Sequence, residues 1–91
     1  MNYIKAVGIR LNELLKEANF NQTSFSKKCN ISRITINRTI KGKVSVITFE
    51  TLIVFCKTLK ITLKDFFASE LFDENIEFGE KKRLKQTKIK Q

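Results

Sequence analysis

From Ile4 onward the apolar positions Ile4, Val7, Leu11, Leu14, Leu15 and Ala18 recur at intervals of three and four, a spacing that predicts an amphipathic helix over about residues 3–18. Asn19, a residue type that tolerates left-handed backbone, ends it. Asn21 then caps a short second helix with Phe25 and Cys29 four apart on its inner face. Asn30 closes that helix and Ser32 caps a third, so only the tight turn "CNIS" separates the two. The third helix runs through about Ile40, and Gly42 stops it. After the loop "KVSVIT", Thr48 opens a fourth helix whose core face reads as Phe49, Leu52, Ile53, Cys56 and Leu59. Val54 and Phe55 fall at or beyond the edge of that stripe, which marks them as exposed or as a subunit contact. Thr62 with Asp65 forms a capping pattern for a fifth helix carrying Leu63, Phe66, Phe67 and Leu71.

Strand signals are nearly missing. The one candidate is "NIEF", Asn75 to Phe78, too short to stand alone. Beyond Gly79 the sequence "EKKRLKQTKIKQ" has no clear apolar stripe and is expected to be mobile. The pattern therefore predicts an all-α fold of five short helices over residues 1–72, followed by an extension, 73–91, that holds a possible dimerisation strand and a basic tail. Helices two and three, joined by so short a turn, are expected to cross steeply as a helix-turn-helix.

Composition narrows what such a domain can do. Ninety-one residues suffice for one small core and not for two. The longest apolar run, Leu52 to Cys56, falls far short of a membrane span, and no signal pattern opens the chain, so a soluble, cytoplasmic protein is expected. Histidine is absent, the two cysteines sit on apolar faces, and no glycine-rich phosphate loop occurs. These absences remove the common catalytic and metal-binding templates, so neither enzymatic activity nor a cofactor is expected.

The net charge of +9 points to a polyanionic partner, and its distribution says where. Residues 1–68 carry twelve bases and four acids, whereas residues 69–91 carry six bases and five acids. Ala18 to Phe49 contains no acid at all, and within it "NQTSFSKKCNISRITINRTIKGK" carries six lysines and arginines.

The third helix reconciles that charge with a packed segment. If Ile36 faces inward, then Arg33, Asn37 and Lys41 follow one outward ridge, with Ile34 and Arg38 beside it. Arginine donates two hydrogen bonds to a guanine edge or grips a phosphate, asparagine pairs with adenine, and an exposed isoleucine touches a thymine methyl. The helix starts at Ser32 and Gln22 offer backbone N–H groups to phosphate oxygens. Lys27 and Lys28, outside helix two, read equally as a solvated face.

From about Val7 to Phe67 the chain resembles the phage-repressor, Cro-like helix-turn-helix family, through "NFNQTSFSKKCNISRITINRTIKGK", then "ETL" and "LKITLKDFF". Gln22, Ser26, Asn30, Ser32, Ile36, Gly42 and Lys43 stand at the family's characteristic positions. The resemblance implies a lambda-repressor-like domain in which Gln22, Ser32, Arg33, Ile34 and Arg38 face DNA, with Lys41 and Lys43 near its backbone. Four positions depart from the family pattern. Asn30 stands at the turn position that is commonly glycine, where asparagine's tolerance of left-handed backbone makes it acceptable. Ile40 and Leu15 replace a frequent glutamate–arginine pair, exchanging a buried ion pair for apolar contact, and Thr39 stands where Ile or Leu is usual, implying a helix rotated or slightly loosened there.

The leading expectation is a sequence-specific regulator of transcription, a repressor that binds double-stranded DNA as a homodimer on a palindromic operator. The alternative is the DNA-binding antitoxin of a toxin–antitoxin pair, with "ELFDENIEF" engaging the toxin. An RNA- or membrane-binding module is weaker, because aromatic stacking motifs are missing and the charge lies on the reading helix, not opposite a broad apolar face.

Overall fold

A computed structural model of the chain describes residues 2–72. Five helices follow one another: α1 (Tyr3–Glu17), α2 (Gln22–Cys29), α3 (Arg33–Ile40), α4 (Phe49–Leu59) and α5 (Leu63–Phe66), and a 3₁₀ turn, Glu70–Phe72, closes the described chain. The fold is all-α, as the periodicity predicts.

Each helix opens on a side chain that takes up a free backbone N–H. Asn2 caps α1, Ser32 caps α3 and Thr48 caps α4. In α2, Asn21 Oδ1 accepts from the Ser24 amide at 2.7 Å while Ser24 Oγ accepts from the Asn21 amide at 3.0 Å, and Thr62 with Asp65 makes the same reciprocal box at α5.

The exits of α1 to α4 share a device too. Asn19, Asn30, Gly42 and Lys60 adopt left-handed backbone with φ of 61°, 61°, 70° and 62°. In each case the following amide reaches back to a carbonyl five residues earlier: Phe20 to Leu15, Ile31 to Ser26, Lys43 to Arg38, and Ile61 to Cys56. These bonds satisfy the orphan carbonyls and turn the chain sharply, which lets the connections after α2 and α4 be only three residues long. Asn19, Asn30 and Gly42 are legible as stops; Lys60, whose side chain gives no such hint, is not.

The core gathers one or more side chains from every helix. Val7 and Leu11 of α1, Phe25 of α2, Ile36 of α3, Phe55 of α4 and Phe66 of α5 are all fully buried, and the rings of Phe25 and Phe55 meet with centroids 5.7 Å apart.

The structure corrects the reading of α4. Phe55, expected at the edge, is 0% exposed, whereas Phe49, assigned to the core, is 62% exposed. Leu52, Phe55, Cys56 and Leu59 satisfy helical spacing as well as the set containing Phe49 does. What decides between them is that Phe49 is the first residue of α4, and helical side chains lean toward the N-terminus, so its ring leans off the end of the helix. Val54 is half-buried against the core. The fifth helix is also shorter than expected, a single turn ending at Phe66, and Leu71 belongs to the 3₁₀ turn. Phe72 meets Phe67 edge-on with ring centroids 4.8 Å apart and Phe66 at 6.2 Å. The strand candidate "NIEF" and the basic tail lie outside the described residues.

Candidate nucleic-acid interface

α3 is seated by backbone contact. Gly8, in the middle of α1, lies directly beneath the end of α3: a Cβ there would stand 2.4 Å from the Thr39 carbonyl oxygen and 2.7 Å from that of Ile40. No other residue type fits, because both obstructing atoms are main chain. Sequence reasoning missed Gly8 as a positioning residue, although an isolated glycine inside a helical pattern is the signal for such a contact. Thr39 sits in this seat at 2% exposure with its hydroxyl donating to the Thr35 carbonyl at 2.8 Å, so a polar side chain is buried without an orphaned group. The helix is not loosened there: it remains α-helical through Ile40. Leu15 is buried and Ile40 half-buried against the same core, so the absent ion pair leaves no stranded charge.

With Ile36 and Thr39 held inward, the opposite side of α3 faces solvent. Arg33 and Ile34 in its first turn are exposed, Ile34 by 69%, which is a large apolar side chain left without cover. Among the described residues nothing hydrogen-bonds or pairs with the Arg33 guanidinium. Ser32 is exposed, but its hydroxyl serves the helix: it accepts from the Thr35 amide at 3.1 Å and donates to Thr35 Oγ1 at 3.0 Å. Only its surroundings, not its side chain, are free for a ligand.

Two pairs of the candidate residues are brought together. Asn37 Nδ2 donates to Gln22 Oε1 at 3.0 Å, tying the middle of α3 to the first residue of α2. Arg38 Nη2 donates to the Lys43 carbonyl at 2.9 Å, while the Arg38 carbonyl accepts from the Lys43 amide at 2.8 Å. Arg38 thus clamps the turn after α3, and Gly42 within that turn lies against Lys5 of α1, whose Cγ would be 3.0 Å from an added Cβ. Lys41 and Lys43 are exposed on either side of Gly42. Arg33 and Ile34 at the start of α3 and Lys41 and Lys43 beyond its end make up the exposed surface of this helix and the turn after it, while the bonded Gln22–Asn37 amides are half-buried.

The chemistry of that surface is cationic and free of acids from Ala18 to Phe49. The ion pair described, Arg10 with Glu13 at 3.6 Å, lies on α1. The two cysteines are buried; burial pushes both thiols up from the usual 9.0, and the Asp65 charge adds to the effect at Cys56, so they remain protonated core side chains. Among the described residues no cluster of three or more ligating side chains is placed to hold a metal ion, and no helix is long and apolar enough to cross a membrane.

A search of curated proteins finds no match to the chain. A family model does: the Cro/C1-type HTH DNA-binding domain matches residues 10–70, a stretch that begins at Arg10 in α1 and reaches the 3₁₀ turn. It takes in the α2–α3 pair, the turn between them and the clamp that follows, and so the chain belongs to the Cro/C1-type helix-turn-helix family of DNA-binding regulators.

Proposed function

We propose that the protein is a repressor that binds a palindromic operator as a homodimer, with α3 in the major groove. The observation that carries this reading is the first turn of α3, where Arg33 and Ile34 project into solvent from a helix fixed to the core on its other side. Arg33 suits a guanine edge and Ile34 a thymine methyl, while Lys41, Lys43 and the start of α2 at Gln22 approach phosphates. Arg38, engaged with the Lys43 carbonyl, serves chiefly to hold that lysine and meets the DNA backbone more readily than a base. Ser32 acts through the helix start that it caps.

One α3 reads only a few base pairs, too few to stand out among competing sites, so two copies about 34 Å apart are required. With Phe55 buried, the apolar side chains left for a partner copy include Val46 and Phe49, both 62% exposed. They lie in "VSVITF", a stretch without charge, where two cationic subunits approach at least electrostatic cost.

Selection from random duplexes tests the reading. The expected product is an inverted repeat with half-sites about one helical turn apart, bound by two chains, and Phe49→Asp is expected to reduce binding to the single half-site level. Recovery of no preferred sequence would overturn it.

A further inference from the structure

Gly42 brings a lysine from the start of the chain to the turn after α3. A Cβ on Gly42 would stand 3.0 Å from Lys5 Cγ, 3.5 Å from its Cα and 3.7 Å from its Cβ, so the space that a side chain would fill is taken by the stem of Lys5 on α1. Lys5 is exposed all the same, the division expected of a lysine that lays its methylenes on the protein and keeps its charge in water. Lys41 and Lys43, also exposed, flank the same glycine. Three ammonium-bearing side chains from two parts of the sequence are thus rooted around one residue.

Among the described residues no hydrogen bond or ion pair engages any of these three side chains. The chain carries no acid from its start to Asn12 and none from Ala18 to Phe49, and the first acid, Glu13, faces Arg10 at 3.6 Å. Like charges gathered without a counter-charge repel one another, and an anion seated among them removes that repulsion as well as gaining its own attraction. The turn is also held in place beforehand. Arg38 Nη2 donates to the Lys43 carbonyl at 2.9 Å and the Lys43 amide to the Arg38 carbonyl at 2.8 Å, so little backbone is left to order on binding. The donors set the ligand chemistry: an ammonium group is a compact point charge that suits a phosphate oxygen and carries no information about a base.

We infer that Lys5 is a phosphate ligand of the DNA complex, forming with Lys41 and Lys43 a grip on the sugar–phosphate backbone at the end of α3 opposite to Arg33 and Ile34. Lys5 lies outside the stretch that matches the family, which begins at Arg10, and its charge comes from α1, a helix with no part in the two-helix reading unit. The inference rests on the reading that α3 and the turn after it meet DNA.

The test uses the full chain, the duplex that selection recovers and a random duplex of equal length, with affinity measured by fluorescence anisotropy over a range of salt. Lys5→Met keeps an apolar stem over Gly42 and removes the charge. It is expected to reduce the slope of log K against log salt by about 0.9 for each chain bound, on both duplexes alike, whereas Lys5→Arg keeps the wild-type slope. Lys57→Met, on the exposed side of α4, is the control and is expected to match wild type. Replacing phosphates one at a time with neutral methylphosphonates then locates the contact: wild type is expected to lose affinity at one position in each half-site where Lys5→Met loses none. Thermal melts report folding, and Lys5→Gln supplies a second neutral side chain if Lys5→Met is destabilised. A wild-type slope in the neutral variants, with DNA binding otherwise intact, overturns the grip and leaves the stem as a cover for Gly42. A loss confined to the selected duplex overturns it too, since that would make Lys5 a base contact. Wild-type binding that is insensitive to salt overturns the DNA-facing reading itself, and the grip with it.

Discussion

Arg10 and Arg33 are the same side chain in two different employments. Arg10, on α1, donates from Nε to the Phe66 carbonyl and from Nη2 to the Asp65 carbonyl, each at 2.7 Å, and its third nitrogen lies 3.6 Å from Glu13. Its donors tie α1 to the end of α5, adding a charged donor to the Phe66 carbonyl and to the Asp65 carbonyl, which also accepts from the Ala68 amide at 3.3 Å. Arg33, on α3, lies in the acid-free segment and has no such partner among the described residues. The difference teaches that cationic charge by itself does not mark a binding surface. A guanidinium whose fork is filled from within the chain is part of the fold, and one left open beside others of its sign is available to a polyanion.

The largest effects are expected where the scaffold behind both regions is broken. Phe55→Ala is expected to cost about 3–5 kcal/mol of stability in denaturant titration, because it removes a fully buried ring that meets Phe25. Phe49→Ala on the same helix should change the stability of the isolated chain by less than about 0.5 kcal/mol. Equal costs would restore the register that the periodicity of α4 suggests. Gly8→Ala is expected to follow, at about 1–3 kcal/mol or more, since its methyl would press on two backbone carbonyls that cannot move without shifting α3. That variant should lose operator discrimination faster than it loses helicity, because what it displaces is the reading helix.

These substitutions also mark what was legible in the sequence. The caps at Asn21, Ser32, Thr48 and Thr62, the stops at Asn19, Asn30 and Gly42 and the inward Ile36 each depend on local chemistry, and the structure bears them out. What failed depended on tertiary context. Phe49 and Phe55 satisfy competing helical stripes, and only the position of Phe49 at the helix start, with the Phe25 ring waiting on α2, chooses between them. The same holds for the interface: the outward placement of Arg33 and Ile34 follows from period, but the partners of Arg38 and Asn37 lie across a turn and across a helix, at Lys43 and Gln22, where no spacing rule pairs them.

Next in size come the two arginines. Arg10→Ala is expected to destabilise the domain by about 1.5–3 kcal/mol, as two carbonyls are deprived of a charged donor, with DNA affinity of the folded fraction unchanged. Arg33→Ala should do the reverse: stability within about 0.5 kcal/mol of wild type, and a loss of about 1–3 kcal/mol on the preferred operator with much less on random DNA. Thermal melts and anisotropy on the same two proteins decide it. A loss of equal size on both DNA types would make Arg33 a phosphate ligand, and a loss of stability would place it with Arg10.

The smallest expected effects, and the finest version of the comparison, belong to Lys43 and Lys60, two exposed lysines beside left-handed helix exits. At the α3 exit the left-handed position is Gly42, and Lys43 follows it in ordinary backbone. At the α4 exit Lys60 itself has φ of 62°, so a residue with a Cβ occupies the conformation that glycine adopts at no steric cost. That strain is roughly 1–2 kcal/mol, and glycine gives back about 0.4–1 kcal/mol of it as extra entropy in the unfolded chain. Lys60→Gly is therefore expected to stabilise the protein by about 0.5–1 kcal/mol, and, although it removes a positive charge, to leave operator affinity at moderate salt nearly unchanged. Lys43→Ala should leave stability alone, weaken all DNA sequences alike, and reduce the slope of log K against log salt by about 0.9 for each phosphate that the lysine neutralises in the wild-type complex. If Lys60→Gly lowered the salt slope as much as Lys43→Ala does, the cationic surface would extend around the α4 exit, and the division between a tied side of the molecule and an open one would have to be redrawn.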